Sequence, residues 1–395
     1  MRILYHHRIR GIDGQAVHVR AMAKALEEEG HEVREVALEP ILGEAPGPDS
    51  PHAPLRRPWR ALDRLPTALR EAAEYGSSAA AWKMVRRGAE DFAPDFVYER
   101  HAFGNVGGVL AANALGVPVV LEVNSPLLEE LSGTRGVAFP AVARRLEAFA
   151  LGRADLVLAV SEELRERLLP HAGRATRVIA IPNAVDTEAF RPPGRGERDS
   201  ARRALGLTGD VDGPGFVLGF TGFVREWHRL DLVLASLARP ELADARLVVA
   251  GEGPWSPELA RRAVDLGVAG RVTALGARRH EEMPAVLAAC DVAVLAGTPP
   301  YASPLKLYEY LAAGLPVVAP DQENLHEVLR DRENAILFPP GDAAALGAAL
   351  AELKRDAALR ARLGSRARET VLEDRRSWRG VARRVVEEAR SLRAS

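Results

Sequence analysis

Short β-type runs alternate with helical segments along almost the whole chain, and this alternation restricts the fold more than any other feature. The strand candidates of the first half are residues 3–5, 33–38, 96–98, 117–123, 156–160 and 178–181. Those of the second half are residues 216–221, 246–250, 272–275, 292–295, 317–319 and 335–338. Between them apolar residues recur at helical spacing, as Val19, Met22, Ala23 and Leu26 do at i, i+3, i+4 and i+7. Strands separated by helices pair in parallel, with helices covering both faces of the sheet. Two such series in 395 residues exceed one ordinary core, and predict two doubly wound α/β domains rather than one large sheet.

The joint between the domains falls in residues 182–198, where Arg191-Pro192-Pro193-Gly194-Arg195-Gly196 ends regular structure. The expected division is therefore 1–183, then 184–375. The last stretch, 376–395, holds an amphipathic helix with Val381, Val385 and Val386 on its apolar side, expected to return to the first domain. A proline-rich segment, 39–58, reads as a long loop of the first domain.

Composition narrows the function classes. The formal net charge is −1, which does not suit a nucleic-acid or polyanion binder. A single cysteine, Cys290, permits neither an intrachain disulfide nor a thiolate metal cluster, and its apolar surroundings read as core. The opening Met1-Arg2-Ile3-Leu4-Tyr5 reads as a first strand rather than a signal peptide, and no uncharged apolar run reaches the ~18 residues a membrane helix needs. A cytoplasmic protein, at most peripheral at the inner face of the membrane, is expected.

The stretch most informative about chemistry is Tyr301-Ala302-Ser303-Pro304-Leu305-Lys306-Leu307-Tyr308-Glu309, which runs on through Gly314-Leu315-Pro316-Val317-Val318-Ala319. It predicts a loop after a strand, a helix N-capped by Ser303 with Pro304 in its first turn, an end at Gly314 and a further strand. A helix N-terminus at the C-terminal edge of a parallel sheet suits an anion, and Lys306 adds a mobile cation there. Glu309 follows Lys306 on the same helix face, within reach of a ribose attached to a bound diphosphate. A capped core helix with a surface Lys–Glu pair fits the same spacing.

This stretch resembles the donor-binding segment of the family-4 retaining glycosyltransferases of GT-B fold. There a carboxylate precedes a ribose-binding glutamate by eight positions; Glu309 matches the glutamate, while Tyr301 stands where the first carboxylate is expected. Ser303-Pro304-Leu305-Lys306 resembles a Ser-Pro-x-Lys variant of the motif. Further matches follow in order. Gly11-Ile12-Asp13-Gly14-Gln15-Ala16-Val17-His18 resembles the opening glycine loop and first helix, and Pro182-Asn183-Ala184-Val185-Asp186 the segment at the domain joint. Gly222-Phe223-Val224-Arg225-Glu226-Trp227-His228 resembles the diphosphate loop, with His228 in the place of a lysine and Arg225 as the nearest sure cation. Gly251-Glu252-Gly253 and Leu275-Gly276 resemble the next two strand ends, the latter at the base pocket.

The resemblance implies two facing Rossmann-like domains with a cleft between them. It also implies transfer of a sugar from a nucleoside diphosphate sugar to an acceptor hydroxyl with retention, as in bacterial glycan or glycolipid synthesis. Arg225 and Lys306 would stabilise the leaving diphosphate, with His228 assisting. Gly14, Gln15, Gly222, Gly276, Tyr301, Ser303, Leu305 and Glu309 would hold the donor. Asn124, in Leu121-Glu122-Val123-Asn124-Ser125-Pro126, falls where relatives carry a histidine beside the reacting carbon. Arg100 and His101 end the preceding strand and would face the acceptor, although His101 also suits a structural role.

No metal or other cofactor is expected. Asp210-Val211-Asp212 has the form of a metal motif, but it precedes a strand and reads as a surface turn. His6-His7 lacks metal-ligand spacing. Arg56-Arg57-Pro58-Trp59-Arg60 reads as a solvated loop, with contact to anionic lipid or a phosphorylated acceptor as the alternative. A nucleotide-sugar epimerase and a non-catalytic nucleotide-sugar-binding regulator are the competing functions. Base, sugar and acceptor are not legible in the sequence.

Overall fold

The structure, a computed structural model, describes residues 1–9, 14–42, 65–207, 215–373 and 376–393. The chain divides into two compact units, Met1–Pro182 with Trp378–Ser395, and Asn183–Ser377.

The first unit holds β1 (Arg2–His7), β2 (Glu32–Ala37), β3 (Phe96–Arg100), β4 (Val119–Val123), β5 (Leu156–Ala159) and β6 (Arg177–Ala180). Its helices are α1 (Gly14–Glu28), α2 (Thr67–Glu90), α3 (Gly107–Leu115), α4 (Leu127–Thr134), α5 (Pro140–Arg153) and α6 (Glu162–Leu168). The six strands form one parallel sheet ordered β2-β1-β3-β4-β5-β6. Every residue of β3 and β4 is buried, because helices cover both faces. Strand β4 opens two residues later than its apolar run, since Pro118 has no N–H for a ladder and offers only its carbonyl, to Val97 N–H at 2.9 Å.

The second unit holds β7 (Val217–Thr221), β8 (Arg246–Ala250), β9 (Val272–Gly276), β10 (Val292–Val294), β11 (Val317–Pro320) and β12 (Ala335–Phe338). Its helices are α7 (Glu197–Ala204), α8 (Leu230–Leu237), α9 (Ser256–Asp265), α10 (Met283–Ala288), α11 (Leu305–Ala312), α12 (Ala343–Arg355) and α13 (Ala357–Glu373). The strand order is β12-β11-β10-β7-β8-β9, again parallel. One face of this sheet packs on α10, α11 and the C-terminal half of α13, the other on α8, α9, α12 and the start of α13. Cys290 is fully buried in the first of these layers, as its apolar surroundings predict.

The final helix, α14 (Trp378–Arg393), belongs to the first unit. It buries Ala382, Val385, Val386 and Ala389, whereas Val381 is only half-buried. Trp378 meets His18 of α1 edge-on at 4.9 Å, and Arg379 pairs with Glu29 at 2.7 Å. Among the described residues no helix is long and apolar enough to cross a membrane.

Sheet order positions the sites. In the second unit the chain winds from β7 to β8 and β9 on one side, and continues on the other side with β10, β11 and β12. The segments leaving the C-terminal ends of β7 and β10 therefore diverge and open a crevice. In the first unit the corresponding reversal lies between β1 and β3.

Candidate active site

Helix α11 follows β10 and is tied to the end of β7 by Tyr310, whose hydroxyl accepts the Thr221 N–H at 2.8 Å. This brings Lys306, one turn earlier in the helix, beside Gly222. A Cβ at Gly222 would stand 2.8 Å from Lys306 Nζ, and the backbone there has φ +115°, so a side chain is unfavourable on both counts.

Lys306 is not the mobile cation its sequence context suggests. Its Nζ lies 4.0 Å above the Phe220 ring and 3.3 Å from His228 Nε2. Burial pulls the ammonium down to about 7, against the favourable charge of Glu309. His228 is no cation either. Burial, followed by the charges of Lys306 and Arg225, pushes its imidazolium down to about 2. His228 Nδ1 accepts the Arg225 N–H at 3.3 Å, so the single ring proton of the neutral imidazole is on Nε2 and points at Lys306. That geometry favours the amine form of Lys306, while the Phe220 face can take the ammonium. Arg225 is half-buried between two aromatic rings, its guanidinium 4.7 Å from the Phe223 centroid and 5.1 Å from that of Trp227.

Ser303 does not cap α11. The helix opens at Leu305, with Pro304 at the cap position and no side-chain cap bond. The Ser303 hydroxyl is used inside the unit: it accepts the Asn183 N–H at 3.1 Å and meets the Tyr308 hydroxyl at 2.9 Å. Asn183 Nδ2 donates to the Ser303 carbonyl at 2.6 Å, so the segment after β6 is bolted to the start of α11. The N–H groups heading the helix are those of Leu305 and Lys306. Gly314, at φ +67°, follows the helix as expected, and Leu315 N–H bonds the Tyr310 carbonyl at 3.1 Å.

Glu309 and Lys306 share a helix face but form no ion pair with each other. Glu309 is buried, and its Oε1 lies 2.8 Å from His280 Nε2. His280 was not singled out from the sequence: it belongs to no motif, and only the fold brings it to α11. Gly276 ends β9 at φ +68°, where its carbonyl accepts the Gly251 N–H at 2.9 Å. Tyr301 is half-buried in the loop before α11.

The first-unit candidates gather at its own strand ends. Gly14 and Gln15 open α1 and are exposed; Gly11, Ile12 and Asp13 lie outside the described residues, as do Asp210, Asp212 and Arg56 to Arg60. Arg100, Tyr98 and Asn124 converge on Glu122. Its carboxylate accepts from the Tyr98 hydroxyl at 2.5 Å, from Arg100 Nη1 and from Asn124 Nδ2. His18 Nε2 stands 3.6 Å away and His18 Nδ1 lies 3.3 Å from Arg100 Nη1. Burial raises the Glu122 carboxyl, but His18, Arg100 and the two side-chain donors outweigh it and hold it below the usual range. Glu122 and His18 are thus members of the cluster; both stand in stretches that the sequence singles out, His18 at the end of the one opening at Gly11, but neither is given a role there. His101 turns its Nε2 to Glu147, 3.8 Å away, and its N–H to the Glu122 carbonyl at 2.8 Å. Among the described residues no group of three potential metal-ligating side chains occurs.

Residues 12–189 match the Glycosyltransferase Family 4 model and residues 215–356 match Glycosyl transferases group 1. The chain belongs to this family. Among the relatives of this family-4 member, a D-inositol 3-phosphate glycosyltransferase of Stackebrandtia nassauensis is 36% identical over 206 residues, 48% of this chain and 43% of the relative. A protein of the same name from Mycobacterium tuberculosis H37Ra is 33% identical over 183 residues, 45% of this chain and 36% of the relative. The match thus spans less than half the length of either relative. Anabaena HepE, solved in complex with UDP, superposes with TM-score 0.72 at 19% identity, covering 99% of this chain and 100% of that one. Sucrose-phosphate synthase from Thermosynechococcus elongatus superposes with TM-score 0.74 at 20% identity, covering 100% of this chain and 99% of that one. At those identities the likeness establishes the GT-B fold of the family.

Proposed function

We propose that this family-4 member transfers a sugar from a nucleoside diphosphate sugar to an acceptor hydroxyl, with retention at the anomeric carbon, in the synthesis of a bacterial glycan or glycolipid. The observation that carries the proposal is the spacing of charge along α11, with Lys306 at its head beside Gly222 and the Glu309 carboxylate one turn on. A diphosphate at the crevice between the ends of β7 and β10 meets Lys306, Arg225 and the first N–H groups of α11, and its ribose meets Glu309.

Departure of the diphosphate is the difficult step, because negative charge grows on it as the glycosidic bond breaks. Cations and N–H groups already aimed at that charge stabilise it without reorganisation. Lys306 gains most, since an amine that takes up a proton beside the phosphate binds the departing anion better than the intact donor. His228 serves as the neutral partner that positions Lys306. Asn124, held by the buried Glu122 to which Arg100 is also bonded, offers a polar group to hydroxyls in the first unit. The UDP bound to HepE supports a uridine donor.

Incubation with UDP-, GDP- and ADP-sugars, with and without glycan acceptors, tests the proposal through the nucleotide released. Release that depends on an acceptor supports transfer. A sugar isomer without release means epimerisation, and binding alone means a regulator. Because the fixed cations take the place of a metal, transfer should survive excess EDTA; a requirement for added Mg²⁺ or Mn²⁺ would refute that part.

A further inference from the structure

Glu309 is held by a residue from a different element. His280 lies in the single turn after β9, and that turn is closed by Glu282, which accepts the Arg279 N–H at 2.9 Å. The imidazole packs on the Phe190 ring at 5.3 Å, so it is itself fixed. Its side chain is 34% exposed and the Glu309 side chain 10%, which puts the contact at the border between core and crevice. Burial opposes the imidazolium, but the hydrogen bond and charge of Glu309, with Glu281 and Asp186, outweigh it, and the ring titrates above its ordinary value. With Oε1 engaged at 2.8 Å the carboxylate plane is set, and Oε2 is left, among the described residues, without a donor.

We propose that His280 is a positioning residue for the nucleotide: it holds Oε1 of Glu309 so that Oε2 meets the ribose hydroxyls. The inference rests on the reading that Glu309 binds ribose. A glutamate side chain free to rotate loses rotamer entropy on binding, and a fixed neighbour removes that cost beforehand. Because His280 acts through Glu309, it matters only while the carboxylate is present.

The test is a double-mutant cycle on the full chain, read by calorimetry with whichever of UDP, GDP and ADP binds the wild type best. His280→Ala is expected to weaken that nucleotide about tenfold, roughly the worth of a hydrogen bond to a charged group. His280→Gln, which keeps an N–H donor, should recover most of the loss. In the Glu309→Gln background His280→Ala should change affinity less than about twofold. Turnover of the donor should show a raised KM with kcat nearly unchanged. The NMR titration midpoint of His280 should fall in Glu309→Gln, which checks the pair without any nucleotide. Wild-type affinity in His280→Ala, an equal loss in both backgrounds, or an unmoved midpoint overturns the inference. Should Glu309→Gln bind like the wild type, or none of the three nucleotides bind, the reading of Glu309 itself fails and takes the inference with it.

Discussion

Lys306 gives a prediction in which charge state, not contact, is the variable. Its ammonium is drawn down to about 7, so at pH 8 roughly one molecule in ten carries the charge before the donor binds. A diphosphate against Nζ restores the proton, because the anion lifts the pKa well above that of the unliganded protein. The sign follows from linkage: well below pH 7 the charge is already present and the contribution of Lys306 to affinity is flat. Above it each pH unit lowers affinity about tenfold, or ~1.4 kcal/mol, until the pKa of the complex is reached. Proton uptake per bound nucleotide from this group should accordingly be about 0.1 at pH 6, about 0.5 at pH 7 and about 0.9 at pH 8. Calorimetry of UDP binding in two buffers of different ionisation enthalpy reads that number. The nucleotide's own terminal phosphate, with a pKa near 6, is nearly fully ionised by pH 8. His228, with its imidazolium pushed down to about 2, stays neutral throughout. His280 titrates above its ordinary value beside Glu309, so its contribution has to be separated. Lys306→Arg does this: a guanidinium does not titrate here, and the uptake at pH 8 should drop by nearly one proton. Equal uptake in wild type and Lys306→Arg would refute the assignment of Lys306 to the diphosphate.

If Lys306 meets the leaving group, Lys306→Ala should lower kcat by on the order of 10²-fold in a protein whose melting temperature shows it still folded, the lost contact with Phe220 costing only stability; normal turnover would leave Arg225 as the chief phosphate cation. Glu309→Gln should weaken UDP binding by about 1.5–3 kcal/mol in a titration at neutral pH, the worth of hydrogen bonds to a charged acceptor. Gly108→Ala should destabilise the first unit by about 1–3 kcal/mol in denaturant unfolding, because the added methyl must displace side chains that are themselves buried. The added Cβ would stand 2.1 Å from the buried Glu99 Oε2 and 2.8 Å from His6 Nδ1.

The strands are legible in the sequence because most are short apolar runs between helical patterns, while the edge strand β2 shows only the alternation of Val33 and Val36 with charged residues. In buried parallel sheets that local signal is strong, and β3 and β4 have no exposed residue to blur it. The helix α14 is legible for a related reason, since its buried residues Ala382, Val385, Val386 and Ala389 keep helical spacing. Gly314 as the end of α11 and Cys290 as core were likewise readable from neighbours a few positions away. The motif residues of α11 could be placed on their helix by spacing alone.

What those residues do there depends on partners distant in the chain. Ser303 has the local sequence of an N-cap, yet its hydroxyl serves Asn183, 120 positions away, and a buried backbone N–H must be satisfied before an exposed helix end. Lys306 and Glu309 read as neighbours on one face, but Lys306 meets His228 across 78 positions and Glu309 meets His280 across 29. Whether a lysine is ammonium or amine, and whether a histidine is a cation, follows from burial and from the charges that the fold collects around it. Sequence patterns record periodicity, which is local; desolvation and pairing belong to the packed chain. The strands and the helix that carries the site were therefore decided by the sequence alone, and the protonation and orientation of its side chains only by the tertiary structure.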